Sequence, residues 1–174
     1  MKTNEKIEEL NYIKLAYQTN KFDEERLQES IESLAKEKSI AFFDFLKSLL
    51  YDPRLFWKSI SIDNMIYFKN EIDKHTIDKI QKLFGLENDV DLKISAAHLL
   101  GFSDKDSEEF LYSVYKKESN VYVKSAIAAS IFVINNIPPF LGLPFSDRIS
   151  SGEINPSEVE IKNFMQGTLK QKDQ

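Results

Sequence analysis

The stretch DVDLKISAAHLLG, Asp89 to Gly101, decides which fold this sequence predicts. An acidic residue opens the stretch, apolar residues recur at intervals of three and four, and a glycine closes it. That spacing is typical of one face of an α-helix, and the acid and the glycine are typical start and stop signals. The stretch therefore predicts an amphipathic helix, and its small residues Ala96 and Ala97 would let a second helix approach closely.

A shift of 31 residues aligns this stretch with a second one, since Val90 falls on Val121 and Lys93 on Lys124. The segment before each stretch aligns with the same offset. Further matching pairs are Thr76 with Ser107, Ile80 with Leu111, Phe84 with Tyr115, Glu87 with Glu118, Leu92 with Val123, and Ala97 with Ala128. A fainter third copy, with a longer offset, begins at Asp52. Two helices that repeat in one register predict stacked helical pairs that share a core.

Both stretches resemble the second helix of HEAT-like repeats. In that family a polar cap precedes an apolar and a basic residue, followed by alanines and a late leucine. The resemblance extends over about Thr76 to Ile134 and is weak elsewhere. It implies an all-α protein, namely a short α-solenoid of HEAT-like helical hairpins with capping helices at both ends. The chain departs from the family pattern from Pro139 onward.

The chain is expected to form one domain over residues 1–174. Within it we expect an N-terminal helical hairpin over 4–38, HEAT-like helix pairs over 39–135, and an irregular segment with a C-terminal capping helix over 136–174. Capping signals mark several helix starts. The predicted caps are Asp23, Thr76 for a helix that ends at Gly85, Asp89 or its neighbour Asn88, Asp106 with Glu109, and Asn155 with Pro156 and Glu158.

Composition excludes several classes of function. The chain has 28 acidic and 23 basic residues, and the net charge of −5 argues against direct nucleic-acid binding. No apolar run is long enough to cross a bilayer, and the N-terminal segment is charged, so we expect a cytoplasmic protein that does not bind membranes. The absence of cysteine excludes disulfides and thiolate metal sites. We expect no cofactor and no metal.

The two histidines, His75 and His98, are the obvious candidates for catalysis. On a helical wheel Asp91, Ser95 and His98 form a polar stripe opposite the apolar arc. A serine, a histidine and an acid suggest a catalytic triad, but side chains on one helix point outward in parallel. Neither histidine belongs to a zinc-binding spacing, and no phosphate-binding or nucleophile motif occurs. The stripe is expected to be a solvated face or a contact surface, and we expect no enzymatic activity.

The resemblance also implies where a partner would bind, because the second helix of each HEAT-like pair lines the concave side of the stack. The expected partner-binding residues are Phe56, Asp63, Asp91, Ser95, His98 and Tyr122. Aromatic residues on such a surface are frequent energetic hot spots. The expected function is therefore protein binding.

A small, acidic chain without catalytic motifs looks like the bacterial immunity proteins that neutralise basic, nuclease-type toxin domains. Two alternatives stay open. Some HEAT-like proteins are DNA glycosylases for alkylated bases, which use a basic groove with a carboxylate, and others attach bilin chromophores. A structural subunit or adaptor is the third class, and an exposed apolar patch on IPPFLGLPF, Ile137 to Phe145, would indicate it. The sequence does not determine the oligomeric state.

Overall fold

The computed structural model describes residues 3–103 and 105–172, and all regular structure in these ranges is helical. They contain ten α-helices and one 3-10 turn, and helix–helix contacts form mostly between helices close in sequence. This confirms the predicted all-α class. The chain divides into two compact units, residues 1–72 and 73–174. The expectation of a single domain stays a prediction.

From residue 3 onward, where its description begins, the first unit contains four α-helices and a 3-10 turn. They are α1 (Thr3–Thr19), α2 (Glu24–Lys36), α3 (Ile40–Leu49), α4 (Leu55–Met65) and the turn Ile66–Phe68. Helix α1 packs on α2, α3 packs on α4, and α2 also contacts α4. The Asp23 carboxylate accepts a hydrogen bond of 2.8 Å from the Arg26 backbone N–H, so Asp23 caps α2 as predicted. Asp52 and Pro53 lie in the loop that separates α3 from α4.

Aromatic side chains form much of the core of the first unit. Trp57, Phe42 and Phe68 are fully buried. The Trp57 ring meets Tyr17 edge to face at 5.3 Å between centroids, and Phe68 stacks on Phe43 at 4.9 Å. Such pairs add about 0.5–1.5 kcal/mol beyond the burial of their area. Aromatic contacts thus join α1 to α4, and α3 to the 3-10 turn.

The second unit contains six α-helices in its described residues. They are α5 (Lys74–Leu86), α6 (Val90–Leu100), α7 (Lys105–Tyr115), α8 (Val121–Ile134), α9 (Pro139–Ser150) and α10 (Glu158–Lys172). Helix α5 packs on α6 and α7 packs on α8, and corresponding helices of the two pairs also touch, α5 with α7 and α6 with α8. The starts of α5 and α7, and those of α6 and α8, are both 31 residues apart, as the sequence shift predicts.

The repeat extends to the hydrogen bonds at the helix starts. The Glu87 carboxylate accepts backbone N–H bonds from Asn88 (2.9 Å) and Asp89 (3.1 Å). Glu118, which is 31 residues later, accepts the equivalent bonds at 2.8 and 2.9 Å. Asp89 and Asn120 then cap α6 and α8. Polar residues at equivalent positions therefore start both helices in the same way.

The lysine of the repeat also has an equivalent position in both copies. The Lys93 ammonium lies 5.3 Å from the centre of the Phe84 ring, and Lys124 lies 5.1 Å from that of Tyr115. Both distances are typical of cation–π contacts. Lys93 also forms an ion pair with Glu118 at 2.5 Å, joining α6 to the loop before α8. This lysine therefore serves the packing between adjacent helices within the unit.

Three residues that were predicted to mark helix ends lie inside helices instead. Helix α5 begins at Lys74 because the Asp73 carboxylate accepts the Thr76 backbone N–H at 2.7 Å, so Thr76 lies in the first turn. Gly85 lies inside α5, which continues to Leu86. Helix α7 begins at Lys105, which places Asp106 in its first turn; Asp104 lies outside the described residues.

The start of α10 also differs from the prediction. Ser157 and Glu160 form a capping box, in which the Glu160 carboxylate accepts the Ser157 N–H at 2.7 Å and the Ser157 hydroxyl accepts the Glu160 N–H at 3.3 Å. Asn155 instead accepts a hydrogen bond from Lys124 at 2.8 Å. The side chain expected to cap α10 is thus engaged with α8.

The segment expected to be irregular contains helix α9. Pro139 occupies its first turn, where no intrahelical N–H is needed, and Pro144 lies inside it. Gly142 of α9 lies against the Phe132 ring of α8. A Cβ built at Gly142 would lie only 3.1 Å from a carbon of that ring. Close packing of α9 on α8 offsets the energetic cost of the proline inside α9. Local helix propensity does not predict this balance.

Candidate protein-binding surfaces

The polar stripe of α6 lies at the surface as predicted. Asp91 and His98 are exposed and Ser95 is half-buried. No hydrogen bond joins these three side chains among the described residues, so they form no proton relay. Their parallel projection from one helix explains the lack of contact. The stripe can therefore offer separate polar contacts to another molecule.

The pKa of His98 is shifted by the surroundings of its ring. Protein atoms around the ring desolvate it, which lowers the pKa of His98 below its usual value although the side chain remains accessible. Desolvation favours the neutral imidazole. At neutral pH His98 therefore offers a neutral hydrogen-bonding ring and adds no positive charge.

Tyr122 occupies on α8 the position that Asp91 occupies on α6, since the two are 31 residues apart. The Tyr122 side chain is 59% exposed, and Asp91 is exposed as well. Because α6 packs directly on α8, their first turns present an acidic and an aromatic side chain at equivalent positions. These two predicted residues, together with Ser95 and His98, belong to the second unit.

The other two predicted residues, Phe56 and Asp63, belong to the first unit. Both lie on α4, and their spacing of seven residues places them on one face of the helix. Phe56 is 48% exposed, yet its ring stacks on Phe22 at 5.4 Å with an angle of 8° between the rings. The Phe56 ring also meets the buried Trp57 ring edge to face at 5.2 Å. Phe56 is thus an exposed aromatic side chain held in place by two neighbouring rings.

A half-open groove of about 380 Å³ lies between α2 and α4, and we call it the α2–α4 groove. Its lining is mainly apolar, with three polar side chains from α2. The lining residues are Phe22, Glu24, Glu25, Leu27, Gln28, Ile31, Phe56 and Ile60. Only Phe56 among these was predicted to bind a partner. The groove combines stacked aromatic rings with two carboxylates.

Phe22 was missed by the sequence-based prediction, although a signal for it exists. It precedes the cap Asp23, and Leu27 follows four residues after the cap. This is the spacing of a hydrophobic staple, in which the residue before the cap packs on the fourth helical residue. Phe22 and Leu27 do line the same groove. The stacking of Phe22 on Phe56 has no such signal, because the two residues come from distant parts of the sequence.

The most buried carboxylate of the first unit belongs to Asp52, whose side chain is 4% exposed. It accepts hydrogen bonds from the Arg54 guanidinium at 2.9 and 3.0 Å and from the Tyr17 hydroxyl at 2.7 Å. The Arg54 hydrogen bonds, opposed by burial and helped by Tyr17, hold the pKa of Asp52 well below its usual range. An ionised carboxylate with these partners joins α1 to the α3–α4 loop and is not available as a base.

An exposed apolar patch lies on α9. Phe140 is 75% exposed and Leu143 is 55% exposed. They are three residues apart and therefore lie on the same side of the helix. This is the part of IPPFLGLPF that a structural subunit would be expected to expose.

No group of three or more metal-binding side chains comes together in the described ranges. None of the helices described is both long enough and apolar enough to cross a membrane. No protein-family model, no curated protein and no solved structure matches the chain.

Proposed function

We propose that this chain is a non-enzymatic protein-binding module built from HEAT-like helical hairpins. In its specific form, the proposal is that the chain neutralises a basic, nuclease-type toxin domain as an immunity protein does. The supporting observation is the pairing of exposed acidic and aromatic side chains, Glu24 and Glu25 with Phe56 in the first unit and Asp91 with Tyr122 in the second. Aromatic anchors supply binding energy, and carboxylates complement a basic partner.

The HEAT-like interpretation is supported by the 31-residue repeat of helix starts, caps and cation–π contacts in the second unit. In a helical repeat, neighbouring pairs bury a shared core and present equivalent positions along one surface. The equivalent positions of Asp91 and Tyr122 agree with this view. The same surface would also contain Ser95 and His98.

The glycosylase alternative has less support. Such an enzyme would need a basic groove with an available carboxylate. The lining of the α2–α4 groove contains Glu24 and Glu25 but no lysine or arginine, and the buried carboxylate of Asp52 is occupied by Arg54 and Tyr17. Electrostatic attraction of a nucleic-acid backbone would not be expected at this groove.

The test is capture of basic nuclease-type toxin domains by the immobilised chain at low and high salt. We expect retention at about 50 mM salt that falls at about 500 mM, because screening weakens charge-dependent association. Asp91→Lys with Tyr122→Ala should weaken retention, whereas Asp147→Lys with Val159→Ala, at exposed positions of α9 and α10, should not. Protection of cells that express the toxin would support neutralisation. Failure to retain any basic domain at either salt concentration would refute the proposal.

A structural-subunit role is the second candidate, and the exposed Phe140 and Leu143 side chains favour it. An apolar patch on a helix is a common site of subunit contact. If the chain assembles through this patch, its sedimentation coefficient should rise with protein concentration, and Phe140→Ser with Leu143→Ser should abolish that rise. Concentration-independent sedimentation of the unaltered chain would argue against self-assembly through α9.

A further inference from the structure

We propose that the α2–α4 groove binds a short basic segment of a partner protein and receives one apolar side chain of that segment against the lining residues Phe22, Ile31, Phe56 and Ile60. This inference rests on the proposed role of the chain as a protein-binding module. It adds a specific site in the first unit and a specific chemistry for the bound segment.

The apolar part of the groove is suited to an anchor side chain. Its volume of about 380 Å³ lies within the range of about 300–1,000 Å³ found for ligand sites. The Phe22 and Phe56 rings stack on each other, and both meet the buried Trp57 ring, at 6.0 and 5.2 Å. Rings held in this way lose little conformational entropy when a ligand binds. The groove therefore offers a preformed apolar surface.

The polar part of the groove selects for positive charge. Glu24 and Glu25 are exposed and belong to the first turn of α2, and neither forms an ion pair among the described residues. The third polar side chain, Gln28, donates a hydrogen bond to Glu32 at 2.9 Å. Two carboxylates without an ion-pair partner beside an apolar surface attract lysine or arginine and repel acidic segments. An acidic or neutral apolar segment would leave both carboxylates without partners.

Trp57 provides a direct measurement, because it is the only tryptophan of the chain and contacts both groove phenylalanines. Three short peptides without tryptophan or tyrosine serve as probes. One contains lysine and leucine, one replaces each leucine by serine, and one replaces each lysine by glutamate. We expect a saturable change in Trp57 fluorescence with the lysine–leucine peptide, reduced at high salt. Equal changes with all three peptides, or none with any, would overturn the proposal.

Charge-reversal variants test the site itself. Glu24→Lys with Glu25→Lys should weaken binding of a fluorescein-labelled lysine–leucine peptide by about tenfold or more, measured by anisotropy. Glu8→Lys with Glu109→Lys changes net charge equally at exposed positions outside the groove lining and should weaken it less than about threefold. Glu24→Gln with Glu25→Gln, which disturbs the start of α2 less, should give an intermediate loss. Equal losses in the two reversal variants would overturn the proposal.

The groove proposal and the proposed function can be refuted by different results. If the chain retains a basic toxin domain and the Glu24→Lys and Glu25→Lys variant retains it equally well, the groove proposal is wrong and the protein-binding role stands. If the peptide binds the groove as described but the chain retains no basic domain, the groove proposal stands and the toxin-neutralising role is wrong. Far-ultraviolet circular dichroism and thermal melting of each variant show whether a loss of binding comes from unfolding.

Discussion

His98 and Ala97 are adjacent residues with opposite environments. His98 is exposed on the polar side of α6, whereas Ala97 is fully buried. The apolar spacing of the sequence was sufficient to predict this difference, because adjacent helical positions point about 100° apart. The lowered pKa of His98 was not predictable, since it depends on which protein atoms surround the ring.

These environments predict unequal effects of substitution. His98→Ala should change the free energy of unfolding by less than about 0.5 kcal/mol, as surface changes usually do. Ala97→Leu should lower it by about 1–3 kcal/mol, because the added side chain overpacks a buried position. Urea unfolding of both variants measures the difference. A larger loss for His98→Ala than for Ala97→Leu would contradict the assigned environments.

At the scale of elements, the starts and ends of helices show how much local sequence determines. Asp23 and Asp89 cap their helices as the sequence predicts, because capping involves residues only three positions apart. Asn155 does not cap α10. Its side chain contacts Lys124 of α8, a partner that is distant in sequence, and Ser157 becomes the cap instead.

The contact between α6 and α8 gives a prediction at this scale. A Cβ on Gly101, at the end of α6, would lie 3.0 Å from the Cα and Cβ atoms of Ser130 on α8. Because a backbone cannot move aside as a flexible side chain can, Gly101→Ala should lower the free energy of unfolding by about 1–3 kcal/mol. The measurement is denaturant unfolding monitored by circular dichroism.

Gly85→Ala is the matched control, since nothing lies within 4 Å of a Cβ built at Gly85 in α5. Alanine costs less backbone entropy than glycine in a helix, so this variant should be more stable by about 0.5 kcal/mol. If both glycine variants were destabilised equally, the close approach of α6 and α8 at Gly101 would not explain the loss.

At the scale of the whole molecule, the stability of the chain should depend on carboxylates that are engaged in the folded state. The pKa of Asp52 is lowered chiefly by hydrogen bonds from Arg54, and that of Glu158 by Lys116 and Lys162. A pKa below its unfolded value of about 4 means that the unfolded chain binds more protons at acidic pH. The contribution of these ionised carboxylates to the free energy of unfolding is therefore complete above about pH 4. It is lost as the pH falls toward the pKa of each carboxyl in the folded state.

Asp52→Asn tests this pH dependence. We expect a loss of about 2 kcal/mol at pH 7, because Arg54 and Tyr17 lose a charged acceptor. As the pH falls from about 4 to about 2.5, the free energy of unfolding should decrease less in Asp52→Asn than in the unaltered chain. The variant lacks the ionised carboxylate whose protonation destabilises the fold. Urea unfolding across this range measures both effects, with the exposed Asp147→Asn as control. An unchanged acid dependence in Asp52→Asn would contradict the role of Asp52.

The sequence by itself determined the all-α class, the 31-residue repeat, the caps Asp23 and Asp89, and the exposure of Asp91, His98 and Tyr122. These features depend on periodicity and on capping by residues close along the chain. Only the tertiary structure revealed helix α9, the Asp52–Arg54–Tyr17 network and the pairing of Phe22 with Phe56. The reason is physical. Each of these three features depends on contacts between side chains from separate elements, and local sequence preferences do not predict such contacts.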